Sequence, residues 1–331
     1  MLAGHIRLPV WSEPERRRPL KVNFITNYAC NLHCNYCGTH ELPGAMMKPE
    51  QLIDAIESLA RLGMQQAHFI GGEPFLRKDL PDALAAARRC GAATVVHSNG
   101  IFVRPVPDAT FGCIDVFHTC VNGSRDAHEA SRGSATYDRA LASIELMRSR
   151  GVRVQADMII SSQNAAPAEL DHVLGLARRL GFKVNLAPVF EHQLVAVNAH
   201  RIQNLRVAGE RVRAMFRRAL DAYDPAVMVN SLAYLETLAR GGVPTFDRCW
   251  MGTYSVTVDP TGHLSRCYQY VRDRRNPCGF EIGWRAALER VVLTSCVTCQ
   301  YSNHAEDNYW IAAARARDLT VSASPLAEVG T

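Results

Sequence analysis

KVNFITNYACNLHCNYCG, residues 21–38, decides the fold. It opens with KVNFIT, an apolar and β-branched run with the composition of a buried strand. It closes in a loop carrying Cys30, Cys34 and Cys37 at the spacing Cys-x3-Cys-x2-Cys. Clustered thiols are soft ligands, suited to zinc or to an iron–sulfur cluster. A structural site closes with four ligands, so three leave one metal position open. An open position is what a catalyst needs.

Working outward, strand-like and helix-like segments alternate. QAHFI (66–70), ATVVHS (93–98), CIDVFHTCV (113–121), VRVQADMII (152–160) and KVNLAPV (183–189) read as further strands. Helical periodicity runs through PEQLIDAIESLARLG (49–63), DLPDALAAARRCG (79–91), TYDRALASIELMRSRG (136–151) and PAELDHVLGLARRLG (167–181). Pro49 suits a first helical turn, Gly63 a stop and Asp79 an N-cap. Repeated βα units with short loops predict an α/β fold, a partial (β/α)6 barrel of parallel strands over residues 21–225. Ligands of such sheets collect at the carboxyl ends of the strands.

After residue 190 the alternation stops. NAHRIQNLRVAGERVRAMFRRALDAY (198–223) predicts one long, arginine-rich amphipathic helix. TYSVT and LSRCYQY flank the turn signal VDPTGH and predict a β-hairpin. These segments predict a small C-terminal cysteine-rich α+β domain over 245–315, behind a boundary between 225 and 245. Residues 1–20 form an N-terminal arm and 316–331 a tail.

Composition bounds the function. The chain has 331 residues, 47% of them hydrophobic, and a formal net charge of +5. Its lysines are Lys21, Lys48, Lys78 and Lys183, so the basic charge is mostly arginine and spread out. The dense run ERRR (15–18) reads as a solvated arm, and neither nucleic acid nor a membrane is expected as partner. No run reaches the roughly 18 apolar residues of a membrane span. The N-terminus lacks the apolar core of a signal peptide, which predicts a cytoplasmic protein. Eleven cysteines in a long chain of that kind point to metal rather than to disulfides.

A second group lies near the end. Cys249, Gly262 and Cys267 give Cys-x12-Gly-x4-Cys, and CVTC adds Cys296 and Cys299. Four thiolates would complete one metal centre, and full ligation suits electron transfer. A structural zinc ribbon uses the same donors. Cys278 is a possible substitute ligand, and His33 or His40 could complete a zinc site at the first triplet.

The triplet after a first strand, with Tyr36 before the last cysteine, resembles the radical S-adenosylmethionine (SAM) superfamily. The resemblance implies a [4Fe–4S] cluster held by Cys30, Cys34 and Cys37, with SAM chelating the fourth iron. It implies reductive cleavage of SAM to a 5′-deoxyadenosyl radical that abstracts a substrate hydrogen, the cofactor carrying the chemistry. GGEP (Gly71, Gly72, Glu73, Pro74) is similar to the stretch that holds the SAM ammonium. Ser98 and Asn99, in HSNG (97–100), match the family's Asn-Gly after the third strand. CVNGSRDAHEASRGSATYDRAL (120–141) resembles the stretch contacting the SAM carboxylate, with Arg132 as the carboxylate partner. It carries Cys120 where serine is common and Asn122 where aspartate is common. The resemblance covers residues 21–190. The second cysteine group looks like a twitch domain, a shortened relative of the SPASM domain, which implies an auxiliary [4Fe–4S] cluster. An electron donor such as flavodoxin or ferredoxin is implied too.

By family analogy, the expected reaction is oxidation of an alcohol to a ketone on a small-molecule substrate. An aminosugar, aminocyclitol or nucleoside in antibiotic or other natural-product biosynthesis is the expected class. Redox-neutral epimerisation, with Cys120 or Cys113 as hydrogen donor, is an alternative. So are decarboxylation of a sugar acid or nucleoside, peptide modification, and a non-catalytic iron–sulfur or zinc module. About 20 residues precede the barrel, where many peptide-tailoring relatives carry a leader-binding domain, so a peptide is the weaker expectation. Glu191 and His192, just past the sixth strand, join Cys120 as candidate catalytic residues. His97, Gln155 and Asp157 are candidates for substrate contact, and period-two alternation puts the last two on one strand face.

Overall fold

A computed structural model describes residues 17–42, 44–102, 104–189, 199–207, 209–293 and 295–316. The first elements are β1 (Lys21–Ile25), α1 (Pro49–Arg61), β2 (Gln66–Ile70), α2 (Leu80–Arg89), β3 (Ala93–His97), the short α3 (Asp108–Phe111) and β4 (Val116–Cys120). Next come α4 (Arg125–Arg132), α5 (Tyr137–Ser149), β5 (Arg153–Ile160), α6 (Pro167–Leu180) and β6 (Lys183–Pro188). Three helices follow: α7 (Ala199–Leu205), α8 (Gly209–Asp221) and α9 (Leu232–Ala239). A hairpin of β7 (Ser255–Val258) and β8 (Leu264–Ser265) precedes α10 (Gly279–Ile282), α11 (Trp284–Arg290) and α12 (Ser302–Ala316).

The strands form one sheet in the order β6-β5-β4-β3-β2-β1-β7-β8. β1 to β6 pair in parallel, and the edges β6 and β8 do not join, so the barrel is partial. Pro49 opens α1 as predicted, and Gly63 follows the helix at φ 113°, a left-handed conformation that glycine adopts without penalty. The predicted hairpin is present. Its first strand also pairs in parallel with β1, Lys21 opposite Ser255, so the C-terminal part continues the barrel sheet.

Two expectations need correction. The helix predicted over 198–223 is two helices, α7 and α8, because Ser162 N–H bonds the Leu205 carbonyl where α7 ends. Asp79 stands at the N-cap of α2, but its carboxylate pairs with the Arg77 guanidinium instead of capping.

Alternation along each strand separates two environments. Val22, Phe24, Phe69, Val96, Phe117, Val154, Ala156, Val184 and Leu186 are buried with Leu52, Ile56, Leu84, Ile144 and Leu174 of the surrounding helices in one core. The opposite set is polar: Lys21, Asn23, Gln66, His68, His97, His118, Gln155, Asp157 and Asn185. These point into the barrel. Its open side is closed by α12, which is rich in buried polar groups. Lys21 Nζ bonds Asp307 Oδ2 at 2.8 Å, and Asn185 Nδ2 donates to Ser302 Oγ at 3.1 Å. Glu306 accepts from the Ser231 N–H at 2.8 Å, and Asn308 Oδ1 from the Trp250 N–H at 2.7 Å. Among the described residues no helix is long and apolar enough to cross a membrane.

Candidate active site

The first cysteine loop leaves the carboxyl end of β1 and is fixed by the loop after β2. Gly72 N–H donates to Asn27 O at 2.9 Å and Glu73 N–H to Ala29 O at 2.8 Å. The approach is so close that a Cβ on Gly72 would lie 1.9 Å from Ala29 O, and one on Gly71 2.3 Å from Asn27 O. Both glycines are thus demanded by the protein's own backbone. Asn99, after β3, holds the loop from the other side. Its Nδ2 lies 2.7 Å from Asn31 Oδ1 and 3.6 Å from Cys30 Sγ, and Asn31 Nδ2 reaches Ile101 O at 2.7 Å. From α4, Ser131 O accepts the Asn35 N–H at 3.0 Å.

Glu73 braces these loops rather than facing outward. Its carboxylate accepts from Phe75 N–H, from Ser98 Oγ–H at 2.9 Å and from Asn99 N–H at 2.8 Å. Burial pushes this carboxyl up to about 7, against the pull of those donors. Pro74 is buried at the start of the short turn that follows. Cys30, Cys34 and Cys37 act on one another's charge, and burial pushes Cys34 up to about 11. Ligation would therefore have to displace protons from these thiols. Among the described residues no three Cys, His, Asp or Glu side chains surround a single-ion position. A four-iron cube instead spreads its thiolates over separate irons.

Arg132 ends α4 and is 4% exposed. Nη1 donates to Tyr36 Oη at 3.2 Å and Nη2 to Asn99 O at 3.0 Å, while the buried Nε has no partner. No described carboxylate forms an ion pair with it. The Glu73 carboxyl feels its charge without forming an ion pair, and a buried cation with no direct ion-pair partner would be relieved by an anionic ligand. The residues therefore fit a cofactor that brings a carboxylate. Asn122, by contrast, is fully committed: Oδ1 accepts the Ile159 N–H at 3.0 Å, and Nδ2 reaches Ser131 Oγ and Tyr36 Oη. It ties β4 to β5 and α4. Cys120 lies beside Arg132 and Cys34, and burial pushes it up to about 11.

The second cysteine group is also brought together. Cys249 and Cys267 flank the open end of the hairpin and pack against Leu20, Trp250, Met251, Tyr254 and Ile311. Cys299 feels the charges of Cys267, Cys249 and Cys296, and burial pushes both Cys267 and Cys299 up to about 12. Asn308 Nδ2 of α12 approaches Cys249 Sγ at 3.9 Å. Cys278 is buried and donates to Thr261 O at the hairpin turn at 3.7 Å.

Of the other sequence candidates, Glu191 and His192 lie outside the described residues. His97 is half-buried against its neighbours, with Nε2 3.1 Å from His68 Nδ1. Asp157 is held by His118 and Asn185. Sequence reasoning missed His118, Lys21, Asn31 and the polar residues of α12. The polar alternation in KVN, QAH, FHTC and VQAD was the available signal for an inward polar face. A cavity of about 380 Å³ opens at the carboxyl ends of β5 and β6. Its lining is mixed: Ile160, Pro188, Val212 and Leu238 supply aliphatic surface, and Arg206, Arg213 and Gln300 polar groups.

The chain has recognisable relatives. The sequence profile of the family described as "Radical SAM superfamily" matches residues 24–177. The chain is 22% identical over 263 residues to "Mycofactocin maturase MftC" of Mycolicibacterium smegmatis, covering 77% of this chain and 66% of that protein. It is 30% identical over 159 residues to "PqqA peptide cyclase" of Xanthomonas campestris, covering 44% and 41%. The chain thus spans about two thirds of the first relative's length and less than half of the second's. Among solved structures, SuiB of Streptococcus suis bound to S-adenosylmethionine superposes with a TM-score of 0.66 at 12% identity, over 81% of this chain and 65% of that one. The structure of anSMEcpe with bound AdoMet and Cp18Cys peptide gives 0.63 at 16% identity, over 81% and 79%. At such identities the likeness is one of fold.

Proposed function

We propose, from the match of residues 24–177 to the radical SAM superfamily, that this chain is an enzyme of that kind that modifies a peptide oxidatively. Superfamily membership implies SAM and a [4Fe–4S] cluster. We assign Cys30, Cys34 and Cys37 to that cluster and Cys249, Cys267, Cys296 and Cys299 to an auxiliary one. When bound, SAM and the reduced first cluster supply a 5′-deoxyadenosyl radical that takes a hydrogen atom from the substrate. Arg132 pairs with the SAM carboxylate, since the Glu73 carboxyl that also feels its charge forms no ion pair with it. Tyr36 and Asn99 hold the guanidinium in place for it. Because the Glu73 carboxylate is occupied by three donors, the main chain of Gly71 and Gly72 is left for the SAM ammonium. Cys249 and Cys299 contact α12 or the turn before it, and α12 also reaches Asn185 in the barrel. That continuity supports the auxiliary group as an electron acceptor near the substrate.

The observation that carries the peptide reading is the identity of the relatives. The curated proteins above are a maturase and a peptide cyclase, and SuiB has also been solved bound to its precursor peptide SuiA. The relatives thus favour the peptide over the aminosugar or aminocyclitol expected from the sequence.

The test is an anaerobic incubation of the reconstituted enzyme with SAM, a strong reductant and, in turn, each short peptide encoded near its gene. Peptide lacking two hydrogen atoms or carbon dioxide, formed with 5′-deoxyadenosine, supports the proposal. An unchanged peptide, alongside an aminocyclitol oxidised under the same conditions, refutes it.

A further inference from the structure

The six barrel strands contain one carboxylate, Asp157 on β5. Its Oδ1 accepts from His118 Nε2 at 3.0 Å and from Asn185 Nδ2 at 2.6 Å. Asn185 is fixed in turn, since its Oδ1 accepts from Asn230 Nδ2 at 2.9 Å. Oδ2 of Asp157 accepts from no described residue. The side chain keeps 17% of its surface exposed, against 5% for His118. One oxygen is therefore clamped and the other is free to meet a ligand inside the barrel.

The surroundings of Asp157 put it between the two cysteine groups. Across the strand pairing it faces Cys120, which lies beside Arg132 and Cys34. Its charge also acts on Tyr301, in the turn before α12, and on Tyr234 of α9, and both phenols feel Cys299. Behind it the His118 and His97 rings lie 4.3 Å apart, and His97 contacts His68, whose Nε2 is 3.2 Å from Gln66 Oε1. Burial holds His68 and His97 well below the usual imidazole range.

Oxidation of a peptide by two hydrogens has a fixed balance. One hydrogen leaves as an atom, to the 5′-deoxyadenosyl radical. The other leaves as a proton, and the remaining electron would go to the iron–sulfur centre that Cys249, Cys267, Cys296 and Cys299 would hold. The proton requires a base within hydrogen-bond reach of the substrate. We propose that Asp157 Oδ2 takes this proton, with His118 and Asn185 positioning the carboxylate. The assignment rests on the oxidative peptide reading above and deepens it.

Asp157→Asn keeps an oxygen for His118 and Asn185 to bond and removes the base. The probe is the short peptide that the wild-type enzyme modifies in the test above, made with perdeuterated aliphatic residues and given to the reconstituted enzyme with SAM and reductant. In the variant, deuterium still passes into 5′-deoxyadenosine within about threefold of wild type, while modified peptide falls about 100-fold or more. Peptide affinity, measured by equilibrium binding without reductant, stays unchanged, and a carbon-centred radical signal accumulates in freeze-quenched spectra. His118→Gln, whose amide can also donate to Oδ1, retains product, whereas His118→Phe loses it. Undiminished product in Asp157→Asn overturns the assignment. So does loss of deuterium transfer or of peptide affinity together with product, because Asp157 then acts in binding. Absence of deuterium transfer in the wild type removes the peptide reading, and this assignment with it.

Discussion

Replacing Arg132 by Met sets stability against cofactor affinity, with magnitudes that follow from its surroundings. The guanidinium is buried, has no ion-pair partner among the described residues and makes two hydrogen bonds to neutral groups. Losing those bonds costs about 1 kcal/mol each. Removing an unpaired buried charge returns a penalty of several kcal/mol, so the net change is about zero, or a small gain. With an unfolding entropy of about 2.1 cal/mol/K per residue over 331 residues, 1 kcal/mol corresponds to about 1.4 °C. Tm should therefore move by no more than about 2 °C. SAM affinity should respond very differently. Truncating one member of a buried, hydrogen-bonded charge pair costs about 2–5 kcal/mol, so Kd should rise roughly 30- to 5,000-fold. Arg132→Lys, which keeps the charge and loses the planar fork, should fall between. The assay is isothermal titration of SAM into anaerobically reconstituted protein, beside a thermal melt of the same preparation. A Kd within about threefold of wild type would refute the carboxylate role, and a parallel collapse of Tm would show that Arg132 serves the fold instead.

Other perturbations separate the two halves of the site. Lys21→Met removes the cation held 2.8 Å from the buried Asp307 and should lower Tm, whereas Lys21→Met with Asp307→Leu should restore most of the loss. Burial acts to raise the Asp307 carboxyl but Lys21 holds it below its ordinary value, so in the wild type this stabilisation is present at neutral pH and lost in acid. A pH series of melts reads it directly. Glu73 behaves oppositely, its folded value of about 7 lying above the ordinary 4.5. Its contribution is complete below 4.5 and lost as pH rises towards 7, and Glu73→Gln should flatten that part of the stability curve. Cys30→Ala should abolish 5′-deoxyadenosine formation, whereas Cys299→Ala should preserve it, block peptide modification and reduce iron from about eight to about four per chain. Full peptide turnover by Cys299→Ala would refute the redox role of the second group.

The barrel was legible in the sequence where a signal was local. Each strand carries buried residues such as Val22, Phe24, Phe69 and Phe117 at alternate positions, and Pro49 and Gly63 mark the limits of α1. The cysteine triplet and GGEP were legible as motifs, but the reason for the glycines was not. Their need comes from Asn27 and Ala29, carbonyls distant in sequence. The helix α12 escaped notice because Ser302, Asn303, His304, Glu306, Asp307 and Asn308 are buried polar residues. A helix that fills a polar barrel has no apolar stripe to display. Pairing of β7 with β1 joins residues more than two hundred positions apart, and no short window of sequence reveals it. The Asp157–His118 contact was hidden for the same reason, although the alternation of VQAD had placed Asp157 on the inward face.

The central claim is that Cys30, Cys34 and Cys37 form an incomplete thiolate cage whose open iron binds SAM. The direct measurement is made on protein purified without oxygen and given SAM and a strong reductant. Metal content and 5′-deoxyadenosine are determined on the same sample. Bound iron and sulfide, with 5′-deoxyadenosine that disappears in Cys34→Ala, is the predicted result. Zinc as the sole bound metal, or reduced iron–sulfur protein that leaves SAM intact, would contradict it.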